Sequence, residues 1–181
     1  MSVTNAISGL TAVGGMVLAG GGLLPSTAAQ ALAAAAVAAS AVNIGGGFTI
    51  TQRMLDMFRR PGDPPEHNAL YAIPAAAMLA VYAAGTYAGY PEVESTAYLA
   101  ASGLCIGSIA CLAQQRTARL GNTLGLLGVG TGLAATLGGL AVDPGTYAQI
   151  LGSLGLGAAL GAAVARRMAI TDLPQMVAGF H

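Results

Sequence analysis

The stretch AAQALAAAAVAASAVNIGGGFTI, residues 28–50, decides the fold. It runs 23 residues without a charge, and it sits inside a longer uncharged run covering residues 1–52. A bilayer's hydrocarbon core asks for ~20 apolar residues per spanning helix. Further uncharged runs follow at 68–91, 95–115, 120–142 and 144–165. The first run is long enough for two spans and each of the others holds one. The charged fraction is 8%, against about 25% in an ordinary soluble domain. A soluble helical bundle needs charged faces at the 3.6-residue period, and these runs have none. The fold class is therefore all-α, a polytopic transmembrane helix bundle. The apolar pattern recurs down the whole chain, which does not fit a single cleaved signal peptide.

Spans are expected at 5–24, 28–50, 68–89, 95–113, 121–141 and 146–165, with Pro25-Ser26-Thr27 as a tight turn between the first two. A seventh helix starts near residue 173. The cations set a topology. All are arginines: Arg53, Arg59 and Arg60 follow the second span, Arg116 and Arg119 the fourth, and Arg166 and Arg167 the sixth. The alternate loops hold only Glu92, Glu94 and Asp143. By the positive-inside rule the arginine side is cytoplasm or mitochondrial matrix. Six crossings place the N-terminus there too.

Lipid gives helices no hydrophobic reason to associate, so close backbone approach must supply the attraction. The pairs Gly121/Gly125, Gly128/Gly132 and Gly157/Gly161 put small residues on single helix faces. The alanine-rich second span reads as buried among other helices.

The motifs exclude much. Net charge is zero, so no basic field points to nucleic acid. Cys105 and Cys111 lie six apart in an apolar run, matching neither a redox nor a zinc spacing, and read as free thiols. The string GLGAAL at 155–160 approaches a dinucleotide fingerprint, but it follows no strand. No metal site is expected, since the spans carry no Asp or Glu. Chemistry inside the bundle must then use neutral polar groups or His. Asn5, Asn43, Asn122, Gln114, Gln115, Thr131, Thr136, Gln149 and His181 are the candidates, and most of them also suit interhelical hydrogen bonding. His181 falls ~10 Å along the seventh helix. An imidazole at that depth can load and release a proton near neutral pH.

Four strings together resemble a known family: SVTNAISG at 2–9, GGFTITQRMLDMFRR at 46–60, GNTLG at 121–125 and TDLPQMVAGFH at 171–181. The resemblance is to the membrane domain of the proton-translocating NAD(P) transhydrogenases, over essentially the whole chain. Asp63-Pro64-Pro65-Glu66, leading into the span at 68–89, resembles the fused single-chain form of mitochondria. The resemblance implies that residues 1–181 are part of one transmembrane proton-translocating domain, with a Pro-rich loop at 61–67 where two family segments join. It implies a function of coupling proton passage to hydride transfer from NADH to NADP. His181, Asn122, Asn43 and Asn5 would form the proton pathway. Both nucleotide-binding domains are absent from this sequence, so NAD and NADP would sit on other domains, and this chain alone would not be catalytic.

Expected partners are further transmembrane helices and soluble nucleotide domains on the arginine-rich side, or subunits of a larger membrane complex. By the family pattern about two helices precede Met1, and more spans follow His181. A second reading stays open: a truncated transhydrogenase-like chain serving as a structural helical subunit. The expected location is a mitochondrial inner membrane or a bacterial plasma membrane, with another organelle membrane as a further option.

Overall fold

Uncharged stretches rich in alanine and leucine satisfy their backbone groups internally as helices, and the computed structural model contains only helices as regular elements among the residues it describes, 2–60, 62, 67–172, 175 and 178. They are α1 (Ser2–Leu18), α2 (Ala28–Met57), a 3-10 turn Asn68–Tyr71 leading into α3 (Ala72–Tyr87), α4 (Glu92–Leu112), α5 (Ala118–Gly139) and α6 (Pro144–Arg167), with a last 3-10 turn at Ile170–Asp172. Among the described residues, five stretches are long and apolar enough to cross a membrane: α2, Ala69–Tyr87, α4, α5 and α6.

The first expected span is corrected. α1 stops at Leu18, not residue 24, and its 17 residues reach only ~26 Å against a hydrocarbon core of ~30 Å. Gly21 and Gly22 adopt φ +86° and +77°, a left-handed backbone that ends the helix early. Residues 25–27 are likewise no tight turn. Thr27 Oγ1 accepts from the Gln30 backbone N–H at 3.2 Å, while Gln30 Oε1 accepts from the N–H groups of Ser26 (3.0 Å) and Thr27 (3.2 Å). This reciprocal box starts α2.

α2 also overruns its expected end, continuing from residue 50 to Met57. A charge ends a membrane span but not a helix. Gln52, Arg53, Met54 and Leu55 all favour helix, so the backbone carries on past the apolar part. α6 begins at Pro144 rather than 146 because Asp143 caps it: its Oδ1 accepts from the Thr146 N–H at 3.0 Å, and Pro144 suits the first helical position. The start of a seventh helix falls mostly on residues outside those described, as does most of the loop at 61–67.

The chain divides into two compact units, residues 1–54 with 140–181, and residues 55–139. In the first unit α1 runs antiparallel to α2. Gly15 approaches Ala33 and Val37 at one end, and Asn5 approaches Gly47 at the other. α2 and α6 run parallel, with Gly157 against Ala38, Gly161 against Val42, and Arg53 donating to the Ala165 carbonyl. Arg53, Arg166 and Arg167 therefore gather at one end of this unit. Asp143 lies at the other, where the Gly22 N–H donates to Thr146 Oγ1 at 3.1 Å.

The glycine pair expected at 157 and 161 makes the α2–α6 seam. A methyl on Gly157 would lie 2.7 Å from the Ala38 carbonyl oxygen, and one on Gly161 would overlap that of Val42. α2 is not buried all round. Ala33, Val37, Ala41, Ile44, Phe48 and Thr51 form a buried stripe at spacings of three and four, while Leu32 is 72% exposed.

The second unit is an antiparallel α4–α5 hairpin with α3 beside it. Ser108 Oγ donates to the Gly121 carbonyl at 2.6 Å near one end, and the Tyr98 and Thr136 hydroxyls bond at 3.1 Å near the other. A methyl on Gly128 would lie 2.7 Å from Cys105 Sγ. Arg119 holds Asp56 in an ion pair at 3.1 Å and donates to the Leu55 carbonyl at 2.9 Å. Cys105 and Cys111 are free, half-buried thiols.

Two outcomes test this packing. Gly161→Ala should destabilise the protein by about 1–3 kcal/mol through overpacking of a backbone contact. Gly152→Ala, where no atom lies within 4 Å of the added carbon, should be neutral or stabilise by about 0.5–1 kcal/mol. Unfolding curves in detergent for the two variants check this. The second outcome concerns Asp143. Hydrogen bonds from the Thr146 hydroxyl and N–H hold its carboxyl below its ordinary value of 3.8. A depressed carboxylate contributes stability that is complete above the ordinary value and is lost as pH falls through the folded one. Asp143→Asn should remove that part of the acid sensitivity, read as a flatter melting temperature below pH 4.

Candidate functional site

The first unit holds a polar cluster where apolar packing is expected. On α1, Asn5, Ser8, Ala12 and Met16 recur at three- and four-residue spacing and form one buried face. Ala12 and Met16 are apolar, whereas the first turns of the same face carry an amide and a hydroxyl. Opposite them on α2, Asn43, Gly47 and Thr51 follow at four-residue spacing. Asn43 Nδ2 donates to Ser8 Oγ at 2.5 Å. One turn further, the Asn5 amide lies over Gly47 so closely that any side chain on Gly47 would overlap it. Gly47 is what lets the amide into the seam. Thr51 Oγ1 donates to the Gly47 carbonyl at 2.8 Å, which turns its hydroxyl to the helix's own backbone.

The cluster is not closed by the protein. Asn5 is 1% exposed, and neither Oδ1 nor Nδ2 has a hydrogen-bond partner among the described residues. Asn43 Oδ1 is in the same position. An amide buried without partners costs about 1–3 kcal/mol per unmet group, which a purely structural residue does not justify. Small polar molecules are the natural complement, since buried waters bond to otherwise unsatisfied polar groups. The Gln149 amide on α6, in the same unit, is buried and unpartnered at both Nε2 and Oε1. Asn5, Ser8 and Asn43 can donate, accept and reorient without holding a fixed charge, the properties needed to pass a hydrogen bond along a chain of waters.

Of the four residues expected to form a pathway, two share one seam. Asn5 and Asn43 lie on the same α1–α2 seam, where Ser8 bonds Asn43. Asn122 is 7% exposed on α5 and belongs to the second unit, beside Gly121 at the Ser108 contact. His181 lies outside the described residues. Of the other polar candidates, Thr131 and Thr136 donate to the carbonyls of Leu127 (2.7 Å) and Gly132 (2.9 Å) on their own helix, and Gln114 and Gln115 are exposed between α4 and α5. Ser8 and Gly47 are site residues that the sequence reading passed over. The signal for Ser8 was its place three residues after Asn5 on one helix face.

Comparison with known proteins adds family evidence in two stretches. Residues 1–60 match the family model of the 4TM region of pyridine nucleotide transhydrogenase, and residues 94–181 match that of the NAD(P) transhydrogenase beta subunit. The chain is 35% identical over 90 residues to the NAD(P) transhydrogenase subunit beta of Rhodospirillum rubrum, covering 50% of this chain and 19% of that protein. It is 43% identical over 60 residues to the NAD(P) transhydrogenase subunit alpha of Cereibacter sphaeroides, covering 33% of this chain and 11% of that protein. The matched part therefore spans about a fifth or less of these relatives' length. The polar cluster lies wholly within residues 1–60. α3 lies in the interval 61–93, which neither family model covers.

Asn5→Leu tests whether the buried amide is structural. The near-isosteric apolar side chain removes two unmet polar atoms, so stability in detergent should hold or rise by about 1 kcal/mol. A loss of several kcal/mol on thermal unfolding would instead mark Asn5 as a structural hydrogen-bonding residue.

Proposed function

We propose that this chain, whose residues 1–60 and 94–181 are membrane sequence of the NAD(P) transhydrogenase family, forms part of the proton-conducting domain that couples proton translocation to hydride transfer from NADH to NADP. The observation that carries the reading is the buried Asn5–Ser8–Asn43 cluster, with its unmet amide atoms, inside the matched first stretch. In this reading the cluster holds a short chain of waters between α1 and α2, and protons cross by exchange along hydrogen bonds. Asn122 and His181 belong to the same pathway, with His181 as the group that loads and releases the proton. The hydride passes between nucleotides bound on other domains, and NAD and NADP make no contact with this chain.

Further details follow from this reading. The chain is of the fused single-chain type, because sequence of both family segments occurs on one polypeptide, joined by the Pro-rich loop at 61–67 and by α3. All of it belongs to one transmembrane domain of six crossings, and a seventh begins near residue 173. α1 makes the first crossing despite its length, supported along α2 from Ala33 to Gly47. The N-terminus and the arginine-bearing loops face the cytoplasm or matrix, and the nucleotide domains dock on that side. The common end of Arg53, Arg166 and Arg167 in the first unit supports this orientation. The membrane is a mitochondrial inner membrane or a bacterial plasma membrane. The structural-subunit reading has no comparable support, since a scaffold gains nothing from an unmet amide at Asn5 that leucine would not supply at lower cost.

The test uses the whole transhydrogenase containing this chain, reconstituted in proteoliposomes. Asn43→Leu, Asn5→Leu and His181→Ala should each cut proton-driven NADPH formation by about tenfold, the rate equivalent of ~1.4 kcal/mol. Nucleotide affinity should stay unchanged. Unaltered coupling in all three variants would remove these residues from the pathway.

A further inference from the structure

The second unit contains a pocket of about 550 Å³ between α3, α4 and α5. Its walls are almost entirely apolar: Val81 from α3, Ala97 and Ala100 from α4, and Ala134 from α5. Tyr90 and Glu92 also line it, at the turn joining α3 to α4. That turn has the character of a membrane–water interface. Tyr87 and Tyr90 are 97% and 64% exposed, and Glu92 and Glu94 open the first turn of α4. Exposed tyrosines beside carboxylates at the end of two apolar helices are typical of the headgroup level.

The length of the slot and the charge at its mouth point to one kind of occupant. From Glu92 to Ala100 is eight residues, or ~12 Å along the helix axis. This is most of one leaflet's ~15 Å share of the hydrocarbon core. A lipid acyl chain is narrow and fits a slot of this length lined by small side chains. The charge at the mouth then selects the headgroup. Glu92 offers an exposed carboxylate, and the arginines of this unit lie elsewhere, just past the end of α2 and around the start of α5. An anionic headgroup is repelled there, whereas a primary ammonium can donate charge-assisted hydrogen bonds to the carboxylate.

We infer that this pocket is a lipid site, taking one acyl chain of an aminophospholipid between α3, α4 and α5 with its ammonium group on Glu92. A quaternary ammonium carries the same charge but has no N–H to donate, so phosphatidylethanolamine is preferred over phosphatidylcholine, and both over phosphatidylglycerol. Because Glu92 is exposed, the preference is small. The site is built from the second unit alone and does not depend on proton conduction.

The test compares retention of dioleoyl phosphatidylethanolamine, phosphatidylcholine and phosphatidylglycerol by the intact membrane protein, read by native mass spectrometry after graded delipidation. Phosphatidylethanolamine should be retained about two- to fivefold more than phosphatidylcholine, the range of an exposed ion pair. Glu92→Gln should abolish that difference, and Ala100→Phe should reduce retention of all three lipids by filling the slot. A phosphatidylethanolamine with a photoreactive group near the end of one acyl chain should label residues around Ala100. Equal retention of the two zwitterionic lipids, a preference that survives Glu92→Gln, or labelling at Ala100 blocked by a partner helix or second copy seated in the pocket would each overturn the assignment.

Discussion

The backbone contact between α2 and α6 is the constraint on which the first unit depends. Gly157 and Gly161 bring one helix against the carbonyl oxygens of Ala38 and Val42 on the other. In hydrocarbon such contact is a principal source of helix attraction, since lipid tails are as apolar as the side chains. Alanine on α2 and glycine on α6 are complementary halves of one device: neither presents a side chain long enough to hold the axes apart. The buried stripe from Ala33 to Thr51 follows from it, as does the position of Arg53 beside the last carbonyls of α6. That guanidinium meets a carbonyl that the helix end would otherwise leave open.

The same closeness makes the polar cluster possible and costly. Gly47 admits the Asn5 amide into a seam where apolar packing would be cheaper, and that amide stays unmet among the described residues. The proposed proton path would need a site that does not saturate its own donors and acceptors. Its amides have to remain open to exchangeable partners. The second unit follows a different economy, with Ser108, Tyr98, Thr131 and Thr136 all bonded to protein atoms.

Sequence exposes hydrophobic length well and helix boundaries less well. The uncharged runs located α2 to α6, because lipid imposes a minimum apolar length on each span. They misplaced α1 because Leu23 and Leu24 extend its apolar run past the glycines that end the helix. They cut α2 short because its charges lie on helix that continues beyond the apolar part. Asn5 and Asn43 could be picked out as rare polar groups within apolar runs. Their pairing could not, since it depends on the register of α1 against α2, set by Gly15 and Gly47 acting together. Gly47 is one of three consecutive glycines, and nothing in the sequence marks which of them faces Asn5.

The parallel course of α2 and α6 has a consequence for the order of assembly. Parallel neighbours need a long crossover, and here the whole second unit, residues 55–139, is inserted between them. The bond from Gly22 to Thr146 closes a loop of 124 residues, whereas Asn43 and Ser8 are 35 apart and Ser108 and Gly121 only 13. Contacts of short sequence separation form first and long-range closure comes late. The α1–α2 hairpin is therefore present in the membrane before its third wall is synthesised. Until α6 arrives, the face of α2 that carries Ala38 and Val42 is open to lipid. The chain thus carries its buried amides through a stage of biogenesis in which α6 is not yet there to enclose them.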